Sequence, residues 1–391
     1  MTSARSNVYL AKVCIVSPLP PPYGGMSLQA KKLAARLNDE GITVELLPTN
    51  PQFPQAIQFI EKIPGLRTVI RVVIFVRSLF LNLPDVHVVH HLTKCGLFFF
   101  LLTVPLIVVG RKKRKRIVLN YRGGRAPAFL RRWGWFAIPV MRKADSVVVP
   151  SDFLRRVFAS HGLAVSVVPN LVETEHFSFR ERKVLRPTLL VTRHLEPLYN
   201  VECLLRAFRI LEKRFPEAQL SIAGTGSEEQ RLRNLCKAWN LAGVKFCGYV
   251  SPLDLPALYD AHDIFVNSSN ADNFPGALVE AACSGLPIVT TRAGGIPDMI
   301  EHRESGLLVN INDHDALAAS VIELLENPEL ARRLARKARL WAEQFSWPAT
   351  FASLLEHYGL SPTEKSGRWS SSSSAVPSTA ESAEARMGKA T

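Results

Sequence analysis

The chain has 391 residues, 47% apolar and 21% charged, which suggests two domains with cores of their own and excludes a disulfide-stapled miniprotein, collagen, a coiled coil or a mostly disordered chain. Its six cysteines (Cys14, Cys95, Cys203, Cys236, Cys247, Cys283) contain no C-x-x-C pair, so reduced thiols in a cytosolic chain are expected over a zinc site or a disulfide framework. The net charge of +14 is concentrated: residues 62–144 hold seventeen Lys or Arg and one acid, Asp85, a net of +16, and the rest of the chain sums to −2.

A β-branched run at 12–16 (KVCIV) predicts the first strand. It stops at Ser17 and Pro18 with no cleavage signal after it, so no secretory leader is expected. A Pro-rich loop to Gly25, a helical 26–40 and a strand at 42–47 follow. Residues 69–83 are apolar with Arg71 and Arg77 inserted. A strand at 86–90 ends at His90-His91, a pair that either reaches a cleft or is structural, the latter being the commoner outcome. The run 97–109 (LFFFLLTVPLIVV) has thirteen apolar residues, short of the ~20 that span a bilayer, so it predicts a buried or interfacial helix. RKKRKR follows at 111–116, then strands at 116–120 and 146–150, with Trp133, Trp135 and Phe136 among further arginines between them. Cations beside apolar and aromatic residues predict contact with an anionic membrane surface. A basic face over an ordinary core helix is the alternative. Nucleic acid is not expected, because none of its recognition motifs accompanies the charge.

After a loop-like 170–187 come a strand at 188–193, a helix at 201–215, a strand at 219–224, a helix at 228–239 and a strand at 244–247. A helix at 253–259, a strand at 263–267, a helix at 276–284 and a strand at 287–290 complete the set. The alternation predicts an α/β protein of two tandem, Rossmann-like, doubly wound domains facing an interdomain cleft, with ligands at the carboxyl ends of the strands. The expected division is 1–170, a linker at 171–187, a second domain at 188–346, a helix at 347–360 returning to the first domain, and a disordered serine-rich tail at 361–391. Asp313-His314-Asp315 has the D-x-D pattern of a metal site, but it precedes a helix at 316–325 and reads better as an N-cap with a first-turn acid. No metal ligand is assigned.

Gly24 and Gly25 precede a helix, where free N–H groups and the helix dipole favour a phosphate. A plain tight turn explains them equally well. G-x-G-x-x-G is absent, and Gly224-Thr225-Gly226 has Glu229 where a third glycine would stand, so NAD is not expected. The segment opening at Ser268, SSNADNFPGALVEAACSGLPIVTT, separates Asp272 from Glu280 by seven residues. Glu280, inside the following helix, can accept two hydrogen bonds from a diol such as a ribose. By spacing alone, a cap and a solvated helix carboxylate explain the two acids better.

This segment resembles the E-x(7)-E signature of the retaining glycosyltransferases of family 4, with Glu280 on the second acid and GLPIVTTRAGGIPDMI after it. The resemblance spans about 13–358. PPYGGMSLQAKKLAARL is similar to the family's first Gly-rich loop and helix, VTRHLEPLYNVECLLRAF to its V-G-R-L-x-x-x-K-G segment, and LSIAGTGSEEQRLR to its strand-to-helix turn. It implies the GT-B fold, with the donor held mainly by the C-terminal domain and the acceptor mainly by the N-terminal one. It implies that Glu280 holds the ribose, Asp272 contacts the donor sugar, and N–H groups of Phe274, Gly276 and Ala277 lie near the sugar and diphosphate. Gly24 and Gly25 would close on the diphosphate, with Gly224 also on the donor side. Arg193 matches the arginine that stabilises the leaving diphosphate, a task suited to a planar, permanently charged fork.

The sequence departs from the family at four places. Asp272 replaces a glutamate, and Pro275 has no N–H to offer. Tyr199 stands at the family's lysine, leaving the second diphosphate cation to weak candidates, His194 and Arg292. Arg122 stands where a histidine commonly follows the strand, so Arg193, Asp272 and Arg122 form the expected catalytic set. The implied function is retaining, metal-independent transfer from a nucleotide-diphosphate sugar, with no cofactor, to a lipid-linked or saccharide acceptor. The implied setting is polysaccharide or glycoconjugate assembly, in a cytoplasmic protein peripheral on the inner face of the plasma membrane. A nucleotide-sugar epimerase or hydrolase, or a non-catalytic binding partner, is the alternative.

Overall fold

The computed structural model describes residues 11–20, 24–53, 55–63, 65–83 and 85–360. The expected disordered tail, 361–391, lies outside the described residues, as do 21–23 of the Pro-rich loop. Two six-stranded sheets organise the rest. The first has the order β2-β1-β3-β4-β5-β6, from β1 (Lys12–Ser17), β2 (Thr43–Pro48), β3 (Val88–Thr93), β4 (Arg116–Tyr121), β5 (Ser146–Val149) and β6 (Ser166–Val167). The second has the order β12-β11-β10-β7-β8-β9, from β7 (Thr188–Thr192), β8 (Gln219–Ala223), β9 (Val244–Gly248), β10 (Ile264–Asn267), β11 (Ile288–Thr291) and β12 (Leu307–Val309). Every pairing is parallel. Parallel neighbours need crossover connections, which cover both faces and bury the strands as near-continuous apolar runs. β1 buries all but its first residue and β3 buries all six.

Each sheet reverses its strand order once, between β1 and β3 in the first and between β7 and β10 in the second. Loops leaving the carboxyl ends of such strand pairs diverge and open a crevice, the usual ligand position in this class of sheet.

β3 runs on to Thr93 instead of stopping at His90. Its polar residues look like a strand end in sequence, yet all are buried with partners. His90 Nδ1 lies 2.6 Å from Tyr358 Oη and its Nε2 3.2 Å from Asn120 Nδ2. His91 meets Val16 O and Thr103 Oγ1, each at 3.0 Å. The pair is structural and does not reach the cleft. β6 and β12, of two and three residues, are too short to show a period in the sequence.

The helix Trp347–Tyr358 packs its Trp347, Leu354, Leu355 and Tyr358 on the first sheet. Trp347 Nε1 donates to Glu40 at 2.8 Å and Arg116 Nε to His357 O at 2.8 Å. The two halves also touch across the crevice, where Arg156 grips both Asp298 oxygens at 2.8 and 2.9 Å.

Candidate active site

Arg193 leaves the end of β7, and residues 268–275 leave the end of β10, so the switch point of the second sheet sets them side by side. Arg193 is ion-paired with Asp272 and has Ser269 Oγ at 3.4 Å from its Nη2. The Tyr199 ring centroid lies 4.3 Å from its guanidinium carbon. Burial lowers the Arg193 pKa, and Glu280 is among the groups opposing that shift. Among the described residues its buried Nε has no hydrogen-bond acceptor, so one donor of the fork remains to be satisfied.

Two glycines let this constellation assemble. A Cβ on Gly224 would sit 1.8 Å from the Arg193 carbonyl oxygen, and one on Gly294 would sit 2.0 Å from the Asp272 carbonyl oxygen; both residues have positive φ. Only glycine allows such an approach in that conformation. Gly224, expected among the donor-binding residues, gives its N–H to Gly248 O at 2.7 Å. Its visible work is therefore to seat the loop that carries Arg193. Gly24 likewise gives its N–H to Ser27 Oγ at 2.9 Å, whereas Gly25 has open space where a Cβ would point.

The helix Gly276–Cys283 starts directly after Pro275. Helix geometry leaves the N–H groups of Gly276 and Ala277 without intrahelical acceptors. Phe274 is buried against Phe345, ring centroids 5.1 Å apart, which anchors the loop. Glu280 lies one turn further on. Tyr259, an ordinary helix position in the sequence, donates to Glu280 Oε2 at 2.8 Å and lies 2.7 Å from Thr192 Oγ1. Burial raises the Glu280 pKa against the opposing effects of the Tyr259 hydrogen bond, Lys32 and Arg193. The acid is thus held in place from within, neither a cap nor a solvated helix carboxylate.

The first half contributes Lys32, paired with Glu173 at 2.8 Å, and Arg122. Arg122 is half-buried and donates to Asn170 Oδ1. Asn170 Nδ2 in turn reaches Phe274 O at 2.9 Å, and Asn273 Nδ2 reaches Arg122 O at 3.2 Å. Arg122 is therefore stitched to the same loop that carries Asp272. Burial pushes its pKa down to about 10, and among the described residues no carboxylate pairs with it. A cation left without a counter-charge in such a place favours an anionic ligand. Asp313 caps the helix His314–Glu326, accepting from Ala316 N at 2.9 Å, and Arg292 is exposed at the end of β11.

Two family models match the chain: "Glycosyl transferases group 1" over residues 173–341 and "Glycosyltransferase Family 4" over residues 23–176. An "Uncharacterized glycosyltransferase" of Haemophilus influenzae is 31% identical over 165 residues, 42% of this chain and 46% of that protein. The chain thus matches about half the length of that relative. A GDP-mannose-dependent alpha-(1-6)-phosphatidylinositol monomannoside mannosyltransferase of Mycolicibacterium smegmatis is 28% identical over 286 residues, 64% of this chain and 73% of that protein. The crystal structure of Anabaena Alr3699/HepE in complex with UDP and glucose superposes with a TM-score of 0.69 at 18% identity, covering 89% of this chain and 99% of that one.

Proposed function

Because the chain belongs to the family 4, group 1 glycosyltransferases and has their GT-B fold, we propose that it transfers a sugar from a nucleotide-diphosphate donor, with retention and without a metal, to a lipid-linked or saccharide acceptor. The carrying observation is the Arg193 fork held beside Asp272 and Ser269, at the loop that starts the Gly276–Cys283 helix. As the glycosidic bond breaks, charge builds on the diphosphate. In this reading Arg193, the N–H groups of Gly276 and Ala277 and the backbone at Gly25 meet that charge, an electrostatic preorganisation. Glu280, fixed by Tyr259, takes the ribose hydroxyls. Arg122 supplies positive charge from the opposite domain, and two arginines do the work that a divalent ion would otherwise do.

Asp272, paired with Arg193, does not serve as a nucleophile in this reading, so retention requires attack on the face of the sugar that the diphosphate leaves. The acceptor oxygen then bonds to the anomeric carbon on the face from which the diphosphate departs, and its proton passes to the departing phosphate oxygen. The mycobacterial relative is named for a phosphatidylinositol-based acceptor. Together with the basic first half, this supports a lipid-linked acceptor at the inner face of the plasma membrane, in polysaccharide or glycoconjugate assembly.

The test is a thermal-shift screen against UDP, GDP, CDP and ADP, with Mg²⁺ and with EDTA, on the wild type and Glu280→Ala. One diphosphate should stabilise the wild type regardless of metal and fail to stabilise the variant. Arg193→Ala should then lower kcat by about 10²–10³. Turnover close to the wild type in that variant would end this assignment.

A further inference from the structure

The helix Leu66–Asn82 is apolar on its outer side as well as its inner one. It contains three arginines and no acid. It buries Phe75 and Leu79, yet its outer stripe at helical spacing is Leu66, Val69, Val73, Arg77 and Phe80, with both valines 60% exposed and Phe80 48%. A helix on an ordinary soluble surface turns polar residues to that side. Phe59 and Ile63, also exposed, prolong the stripe at its N-terminal end.

The apolar surface continues onto neighbouring elements. Residues 99–112 form a helix that packs beside Leu66–Asn82 and leaves Val108 exposed. Lys113, just after it, donates to Phe80 O. Phe100 on that helix touches Trp133 and Phe136, with ring centroids at 5.3 and 5.6 Å, and Trp135 beside them is 74% exposed. A belt therefore runs from Phe59 to Trp135. Cations border it, and between residues 62 and 144 the sequence has one acid, Asp85. Exposed apolar area on this scale needs a partner. The strongly basic rim, whose Glu61 is paired with Arg71 at 3.3 Å, and the amphipathic tryptophans fit the headgroup region of an anionic bilayer.

The belt also reaches the crevice. Leu97 and Phe98, both exposed, sit on the segment leaving the carboxyl end of β3, with Lys94 Nζ 4.7 Å from the Phe98 ring centroid. The backbone nitrogen of Cys95 in that segment packs on Gly123, 2.8 Å from where a Cβ would lie, and Gly123 follows Arg122. We infer that this belt docks the protein on an anionic lipid surface with the Arg122 side of the crevice facing the bilayer. No described helix is long and apolar enough to cross a membrane, so the contact is interfacial. An acceptor that keeps its apolar part in the bilayer reaches Arg122 along Leu97 and Phe98. That last consequence rests on the glycosyltransferase reading; the docking does not.

Vesicle flotation tests it, with phosphatidylcholine alone and with phosphatidylglycerol added, at low and high salt. The wild type should float with the anionic vesicles, lose binding as salt screens the rim, and stay behind with neutral ones. A V69E/V73E double variant should bind about tenfold less or weaker still, with its nucleoside diphosphate thermal shift unchanged. Brominated lipid in the anionic vesicles should quench tryptophan fluorescence, and Trp135→Ala should remove part of the quenching. Equal flotation with neutral vesicles, or none with either, overturns the inference. A dimer in light scattering that V69E/V73E turns into a monomer, without flotation, assigns the belt to a second copy and overturns it too. Flotation without any nucleotide-induced shift in the wild type leaves the docking standing and removes the donor reading.

Discussion

The guanidinium of Arg193 lies against the face of Tyr199, 4.3 Å from the ring centroid. With Asp272 on one side and the ring on another, the charge is oriented from two loops at once. In the family resemblance this position is a lysine, which would add charge; a ring adds rigidity instead. The contact is of the size that contributes about 0.5–2 kcal/mol. Tyr199→Ala should therefore lower kcat by several-fold to tenfold, while Tyr199→Phe keeps the π face and the rate, as steady-state kinetics will read.

Arg122 is kept half-buried with an amide for a partner and, among the described residues, no carboxylate. Removing an uncompensated cation relieves a desolvation cost. Arg122→Met should unfold at the same temperature as the wild type or higher, yet lose at least about tenfold in kcat/KM, because its charge serves the ligand. A variant that loses Tm and keeps its activity would make Arg122 a structural residue.

Glu280 is drawn two ways by pH. Burial raises its pKa above 4.5, the ordinary value, so the buried carboxylate form costs the empty protein stability, and that stability is lost as pH rises through the folded pKa. The diol contact needs the carboxylate. Diphosphate affinity should therefore fall as pH drops, at a pH above the usual glutamate range. Tyr259→Phe removes a hydrogen bond that holds the pKa down, so the fall should move to higher pH; Glu280→Gln should flatten it. Calorimetric titration across pH separates the three proteins.

The histidine pair predicts an acid limit. Burial lowers His90 from 6.5 to about 3 and His91 from 6.5 to about 4. The unfolded chain takes up protons near 6.5 while the folded one refuses them, so stability falls as pH drops below that value. The slope approaches about 1.4 kcal/mol per pH unit for each ring. Urea unfolding at pH 7 and pH 5 should show the loss, and His91→Gln should remove about one proton from the slope.

Some of this was legible in the order of residues alone. Alternating β-branched runs and 3.6-residue patterns determine parallel β-α-β units wherever strands are long enough to show a period, and so they located β1, β4, β7, β8 and β10 to within about a residue or two. The Asp272 to Glu280 segment and the basic 111–116 run were equally visible, because each is local. What the pattern could not carry is which local features meet. His90 and His91 read as a strand end until Tyr358, 268 residues away from His90, supplies the hydrogen bond that buries it. Gly224 reads only as a donor-side glycine in the sequence, and that a Cβ there would meet the Arg193 carbonyl appears only in the fold. Tyr259 carried no signal at all, since an apolar helix position becomes the anchor of Glu280 only after β7 and β10 pair. Burial, counter-charge and close approach belong to pairs of residues distant along the chain, so they come into being with tertiary packing and with nothing earlier.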